Sequence, residues 1–241
     1  MDASLYLSMS AMKQNEINLQ IVTSNLANAN TDGFKRDTAS FKALYLNQAN
    51  TPIPVAYTEL NGTGVDLAAG QLKATGNGND LVIGGNGFVE LKRPDGSSYY
   101  TKTLSLMTSA NGTLVNVDGG ILVNGKGKPI TPPSGDFVIN AKGNILTRVN
   151  HSYEPLDHFK IVELKASDIK KDSYGQIILN GDVTLQPLEN ANVIVGFKES
   201  SNVNSVTEMA RMVQIQRDYE LGSKALNASK TIQKVSNSIL E

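Results

Sequence analysis

Glycine and proline are segregated along this chain, and that segregation limits its fold more than any other feature. All eight prolines and 19 of the 21 glycines lie between Asn47 and Gly196. The flanking segments, 1–46 and 197–241, carry one glycine each, Gly33 and Gly222, and no proline. Proline breaks a helix interior and glycine weakens it. Two helix-tolerant arms therefore enclose a turn-rich middle. The even strand–helix alternation of an α/β enzyme is excluded.

In the N-terminal arm apolar residues recur at helical spacing: Leu5, Met9, Met12, Leu19, Val22 and Leu26, with Ile17 and Ile21 widening the stripe. The phase is a/d-like except at Glu16, where an apolar residue is due. The helix is predicted to reach about residue 27–29 and to fail in Asn28-Ala29-Asn30-Thr31-Asp32-Gly33, whose residues supply turn and left-handed conformations. The C-terminal arm has a longer stripe: Val203, Val206, Met209, Met212, Val213, Ile215, Tyr219, Leu226, Ile232, Val235 and Ile239. It drifts around the helix past Gly222, which predicts a bend or a change of partner there. About 38 helical residues make a rod of roughly 57 Å. Such a rod cannot bury its stripe on a compact domain, and pairing with another helix is its ordinary escape. The competing reading packs both arms on the middle as amphipathic helices. Against it, chain ends fray unless something captures them.

The middle opens with an extended connector over 47–75, shaped by Pro52, Pro54 and Asn61-Gly62-Thr63-Gly64. Short β-type runs follow: 81–83, 88–91, 98–103, 113–117, 121–123, 136–139, 144–149, 159–164, 176–179 and 193–197. Hairpin-grade turns such as Pro94-Asp95-Gly96, Asn111-Gly112 and Asn124-Gly125 separate them. Spacing near ten residues points to an all-β sandwich or barrel. The fold class is α+β. Residues 1–46 form the N-terminal arm, 47–75 the connector, 76–196 the β domain and 197–241 a C-terminal helix that pairs with the N-terminal arm in a coiled-coil-like way.

Chemistry is sparse. The 22 Lys and Arg against 23 Asp and Glu leave a net charge of -1, spread evenly, which argues against a nucleic-acid partner. No cysteine is present, so disulfides and thiolate sites are excluded. No stretch reaches the roughly 18–20 apolar residues of a bilayer span, so membrane insertion is not expected. The N-terminus lacks the basic and apolar regions of a Sec-type leader, so export would need a route that leaves it uncleaved. His151 and His158 lie in an expected loop beside Pro155 and Asp157 with no third ligand in reach, and surface or capping roles are expected for them. Thr75–Ile83 and Gly84–Val89 form a near repeat of period nine, similar to calcium-binding β-roll repeats. One and a half copies cannot share ions between turns. Asp80 is expected to cap a turn, with Leu81, Ile83, Phe88 and Val89 in the core. No catalytic residue, metal or cofactor is assigned.

Three segments together resemble one family. Asn25-Leu26-Ala27-Asn28, then Thr31, then Gly33-Phe34-Lys35 is similar to the N-terminal signature N-L-A-N-x-x-T-x-G-[FY]-[KR] of bacterial flagellar rod and hook proteins. Ser201-Asn202-Val203-Asn204, Glu208-Met209 and Gln216-Arg217-Asp218-Tyr219-Glu220 resemble their C-terminal signature. Between these, Thr75-Gly76, Asp80-Leu81-Val82-Ile83 and Gly87-Phe88 resemble the family's lead-in to its β domain, which accounts for the near repeat. The opening Met1-Asp2-x-x-Leu5-Tyr6 and the length look most like proximal-rod members, with distal-rod members next. One departure stands out. After Tyr100-Thr101 the family usually continues R-x-G-x-F, whereas this chain has Lys102-Thr103-Leu104-Ser105-Leu106, so a changed turn and a changed core contact are expected there.

The resemblance implies a structural, non-enzymatic subunit of the flagellar basal body. It implies partners among other rod proteins and copies of this chain, and delivery by the flagellar type III export apparatus without a cleaved signal peptide. Terminal helices of the family pair and stack around a central channel. On that basis Leu5, Met9, Met12, Leu19, Val22 and Leu26 are expected to zip against Val206, Met209, Val213, Tyr219, Leu226 and Ile232. Two rivals come from other classes: a calcium- or glycan-binding β module, and a peptidoglycan hydrolase needing paired carboxylates or a histidine-centred metal. Neither accounts for helical stripes at both chain ends.

Overall fold

The computed structural model describes residues 3–46, 55–133, 137–149, 151–181, 183–188 and 191–239; the side chains of 3–7, 44–46, 55–58, 229 and 232–239 lie outside that description, those of Leu5 and Ile232 among them. The chain divides into two compact units. One comprises 1–29, 36–64 and 203–241; the other comprises 30–35 and 65–202.

The first unit is built on two helices, α1 (Ala3–Ala27) and α2 (Ser205–Ile239), with a two-stranded ribbon of β1 (Asp37–Leu46) and β2 (Val55–Val65). β1 falls in the segment expected as the N-terminal arm and β2 in the stretch expected as a connector. α1 stops where the sequence turns to Asn and Gly: Asn28 donates from both its backbone N (3.2 Å) and its side-chain Nδ2 (3.0 Å) to Ser24 O. Asn204 caps α2, its Oδ1 accepting from Thr207 N at 3.1 Å. α2 runs unbroken through Gly222 for 35 residues, about 52 Å. No bend is needed there, because the glycine serves close approach. A Cβ at Gly222 would lie 3.3 Å from Met12 Cγ.

The helices pack on each other and run antiparallel. Met12 meets Gly222, while Arg36, nine residues beyond the end of α1, binds Glu208 in the first turn of α2. In a parallel pair those nine residues would have to cross some 29 residues of helix, about 44 Å, against an extended reach of about 32 Å.

Among its described residues the second unit has strands and one short 3-10 turn (Ala166–Asp168) as its regular elements. Its strands are β3 (Leu72–Ala74), β4 (Asp80–Ile83), β5 (Gly87–Lys92), β6 (Ser98–Thr101), β7 (Thr103–Thr108), β8 (Leu114–Asn116), β9 (Ile121–Leu122), β10 (Phe137–Ile139), β11 (Asn144–Val149), β12 (Ser152–His158), β13 (Ile161–Glu163), β14 (Ile169–Lys171), β15 (Ile177–Leu179), β16 (Val193–Val195) and β17 (Phe197–Glu199). The main sheet runs β14-β15-β6-β5-β9-β8-β7-β4-β16, with β13 also paired to β5. β10-β11-β12 form a second sheet, and β17 pairs with β3.

Side chains alternate across a strand, and here both faces are covered. Val89 and Leu91 of β5 and Tyr99 of β6 enter one core with Leu81, Leu104 and Ile145. Their neighbours Phe88 and Tyr100 enter another with Val65, Val162, Leu164 and Ile169. Leu81, Ile83, Phe88 and Val89 are thus buried as expected.

Three expectations change. The run 98–103 splits into β6 and β7 at Thr101–Thr103, where Thr101 Oγ1 donates to Thr103 O. Leu104 and Leu106, standing where the family has Gly and Phe, are both buried in the first core, so that contact is filled by aliphatic side chains. Of the two histidines expected in a loop, His158 ends β12, an edge strand, and His151 sits in the turn before it at φ +73°. Pro155 is tolerated in β12 because the register slips between Ile145 and Leu146 of β11.

Candidate functional site

The seam residues separate into faces. On α1, Met12, Leu19 and Leu26 are half-buried and Val22 is buried, whereas Met9 is 56% exposed. With Ser8 and Asn15, these inward positions follow steps of 4, 3, 4, 3 and 4 residues. Among the described side chains of α2 the covered positions are Ser205, Glu208, Met212, Ile215, Gly222, Ser223 and Leu226. Val206, Met209 and Val213 lie on another face, roughly 130° around the helix, and are 74%, 52% and 48% exposed. The single long stripe read from the sequence is therefore two. Within the chain α1 packs on the Glu208–Met212–Ile215 side, not on Val206, Met209 and Val213. Tyr219 points towards the covered side but stays 46% exposed. Gln216 and Arg217 are exposed.

The signature residues hold chain crossings. In the helical unit Asn25 is fully buried and imitates a backbone partner: its Nδ2 donates to Asp37 O (3.0 Å) and its Oδ1 accepts from Asp37 N (2.7 Å). Ser24 Oγ adds a bond to Asp37 Oδ2. Glu208, 2% exposed, accepts from Arg36 Nε at 2.9 Å and lies 3.4 Å from Arg211 Nη1. Ala27 closes α1 in the open.

In the β unit Thr31 O accepts from Phe34 N, and Gly33 adopts φ +74°, a left-handed conformation suited to glycine. Phe34 is buried beneath Lys171 Nζ, and Lys35 is buried with Glu199. Lys35 Nζ donates to Glu199 Oε1 (2.5 Å) and to Ala68 O (2.8 Å). Asn202 Nδ2 donates to Asp66 O and Ala68 O. Ser201 is half-buried beside it, and Val203, the first residue of the helical unit's last segment, is half-buried as well.

Asp80 does not cap a turn. It is buried, accepts from Ser105 Oγ (2.6 Å) and faces Lys198 Nζ at 3.7 Å; Asn77 makes the turn instead, its Oδ1 accepting from Asn79 N. Gly87 is required by packing, since a Cβ there would meet Ile83 Cγ2 at 2.7 Å. Among the described residues no three His, Cys, Asp or Glu side chains gather as a metal site, and no helix is long and apolar enough to cross a membrane. Lys102 is buried with its Nζ 5.1 Å from the Phe88 ring centre; burial and then the Lys35 charge push its pKa down, against the pull of Glu199.

Sequence reasoning missed Asp37, Glu199 and the partner of Glu208. A buried carboxylate has no periodic pattern. The available signal was the Lys35-Arg36 dipeptide inside a signature, whose two cations find Glu199 and Glu208 respectively.

Residues 5–35 match a model described as flagella basal body rod protein, 82–147 one for the flagellar hook protein FlgE/F/G D1 domain, and 194–239 one for the flagellar basal body rod FlgEFG protein C-terminal region. The chain is 32% identical over 267 residues to the flagellar basal-body rod protein FlgG of Buchnera aphidicola subsp. Schizaphis graminum, covering 97% of this chain and 98% of that one. It is 28% identical over 240 residues to the flagellar basal-body rod protein FlgF of Escherichia coli K12, covering 95% and 94%. The FlgF of Salmonella typhimurium is 26% identical over 240 residues, with the same coverage.

Proposed function

Because this chain belongs to the flagellar basal-body rod protein family and is a structural subunit of the rod, we propose that it assembles through its paired terminal helices, with the outer face of α2 turned to neighbouring subunits. Its place is the flagellar basal body, and its partners are rod and basal-body proteins. The observation that carries the proposal is the stripe Val206–Met209–Val213, left open by the intrachain pairing. Side chains of this kind are worth about 1.5–3 kcal/mol each when buried, and a folded chain gains that only from another surface. On α1 the inward positions Ser8, Met12, Asn15, Leu19, Val22 and Leu26 alternate steps of four and three residues, a spacing that supports a coiled-coil-like seam.

The fuller reading is a hollow, torque-transmitting shaft that also conducts export, with subunits delivered by the type III apparatus. A proximal-rod position is favoured by alignment length. Alignments to FlgF relatives run 235–240 positions, close to this chain's 241, whereas those to FlgG relatives run 255–267, so the latter carry stretches this chain lacks.

Val213→Asp tests the assembly face. The isolated variant should melt like the wild type, because Val213 is exposed, yet rod assembly and motility should be lost. Motile cells carrying Val213→Asp together with Met209→Asp would show that this face is not used.

A further inference from the structure

We propose that Lys35, Glu199 and Asn202 form a clamp, closed already in the unassembled subunit, that ties together the three segments by which the chain enters and leaves the β unit. These segments are 30–35, 65–70 and 199–202. Each bonds to both others. Glu199 Oε1 accepts from Lys35 Nζ and from Gly70 N (2.7 Å). Lys35 Nζ reaches across to Ala68 O, and Asn202 Nδ2 reaches Asp66 O (2.9 Å) and Ala68 O (3.1 Å). Gly33 N donates to Glu199 O at 2.7 Å and Asn202 N to Phe34 O at 3.4 Å, which joins the first segment to the last through backbone alone. Lys171 Nζ donates to Lys35 O.

Two features make this a latch rather than three separate contacts. The first is the single buried carboxylate. Lys35 and Glu199 are each 2% exposed, and pulling one segment away strands a buried charge, which is strongly unfavourable. The segments therefore open together or not at all. The second is close approach. A Cβ at Gly70 would lie 1.9 Å from Ser200 O, so the middle segment seats directly on the last one, and Ser200 N completes the seat by donating to Gln71 O at 2.9 Å.

The clamp's use rests on the assembly reading above. It holds neighbouring points 164 residues apart in sequence, so the two arms begin next to each other and their pairing is a local event, with a high effective concentration.

Hydrogen exchange on the full-length monomer tests it without any assembly step. In the wild type the amides of Gly33, Gly70, Ser200 and Asn202 should exchange at one common rate, more slowly than those of α1. Lys35→Met should speed all four by a common factor of at least ten and leave Val89 and Leu104 unchanged. Four unrelated rates, rates as fast as α1, or release of Gly33 alone would overturn the clamp. If Lys35→Met also exposes Val89 and Leu104, Asn202→Ala decides: a shared acceleration of the other three amides supports the latch, and a change confined to one segment refutes it. Loss of assembly with an intact clamp would count against the helical arms, not against this device.

Discussion

The two units of this chain bury their residues in opposite ways. In the β unit both faces of the central strands carry a core, and side chains such as Leu81, Leu91, Leu104 and Leu114 are completely enclosed. In the helical unit the buried side chains among the described residues are Val22, Asn25 and Glu208, two of them polar. Two helices of 25 and 35 residues share that little interior. Ordering a residue's backbone costs about 1–2 kcal/mol, and among the described residues the β unit encloses far more apolar surface against that cost than the helical unit does. The first is a domain. The second leaves Val206, Met209 and Val213 open, the face that the proposed assembly would cover.

The sharpest way to break this contrast is to truncate one leucine in each unit. Leu104→Ala should destabilise the isolated subunit by about 2–5 kcal/mol, the usual range for an enclosed leucine, seen as a lower denaturation midpoint. Leu19→Ala, in the half-buried helical seam, should cost the isolated subunit under about 1 kcal/mol by the same measurement and yet impair rod assembly severely. Equal losses in the monomer would mean that the helical unit is already a finished domain.

The contrast also explains what the sequence revealed. The β unit was legible where turn chemistry and apolar runs coincide, as at 81–83, 88–91 and 144–149. β12 was not, because Pro155 argues against a strand until an edge position beside a slipped register accommodates it. Helices were legible from their period, but the period alone merged two faces of α2. Only burial separates Val206, Met209 and Val213 from Met212, Ile215 and Leu226. The signatures located the chain crossings, while the carboxylates that hold them, Glu199 and Glu208, carried no pattern of their own. Lys102 and Leu104 depart from the family, and the surrounding packing absorbs both.

A pH series sharpens the contrast at intermediate strength. Burial first, and then the Glu90 carboxylate, push the Tyr100 phenol from 10 up to about 12. A raised acid pKa means that the folded chain keeps a proton which the unfolded chain loses. Stability from this group is therefore whole below pH 10 and falls between pH 10 and 12. Burial pushes Tyr99 in the same direction. Tyr100→Phe should flatten the fall in stability over that window by about one proton, read from denaturation midpoints of the isolated subunit. An unchanged slope would mean that Tyr100 is not enclosed in the second core. Exchange rates in α1, corrected for the intrinsic effect of pH, should be indifferent to the substitution, because the helical unit buries no phenol among its described side chains.

The smallest effect falls at Gly222, where two local rules compete. A glycine inside a helix costs about 1 kcal/mol relative to alanine, so Gly222→Ala should raise the helicity of the free subunit. Against this, the added Cβ would lie 3.3 Å from Met12 Cγ, tighter than an ordinary contact. Met12 is unbranched and half-buried, so it can shift by a few tenths of an ångström. The expected outcome is a modest gain in helical circular dichroism, worth less than about 1 kcal/mol, with assembly retained. Gly222→Val removes that freedom: two further methyls at Met12 must part the helices. It should depress assembly while leaving the melting of the β unit untouched. If Gly222→Val assembled normally, α1 and α2 would not need close approach at this point. The lone glycine of the C-terminal arm would then have to be explained by something other than the packing of Met12.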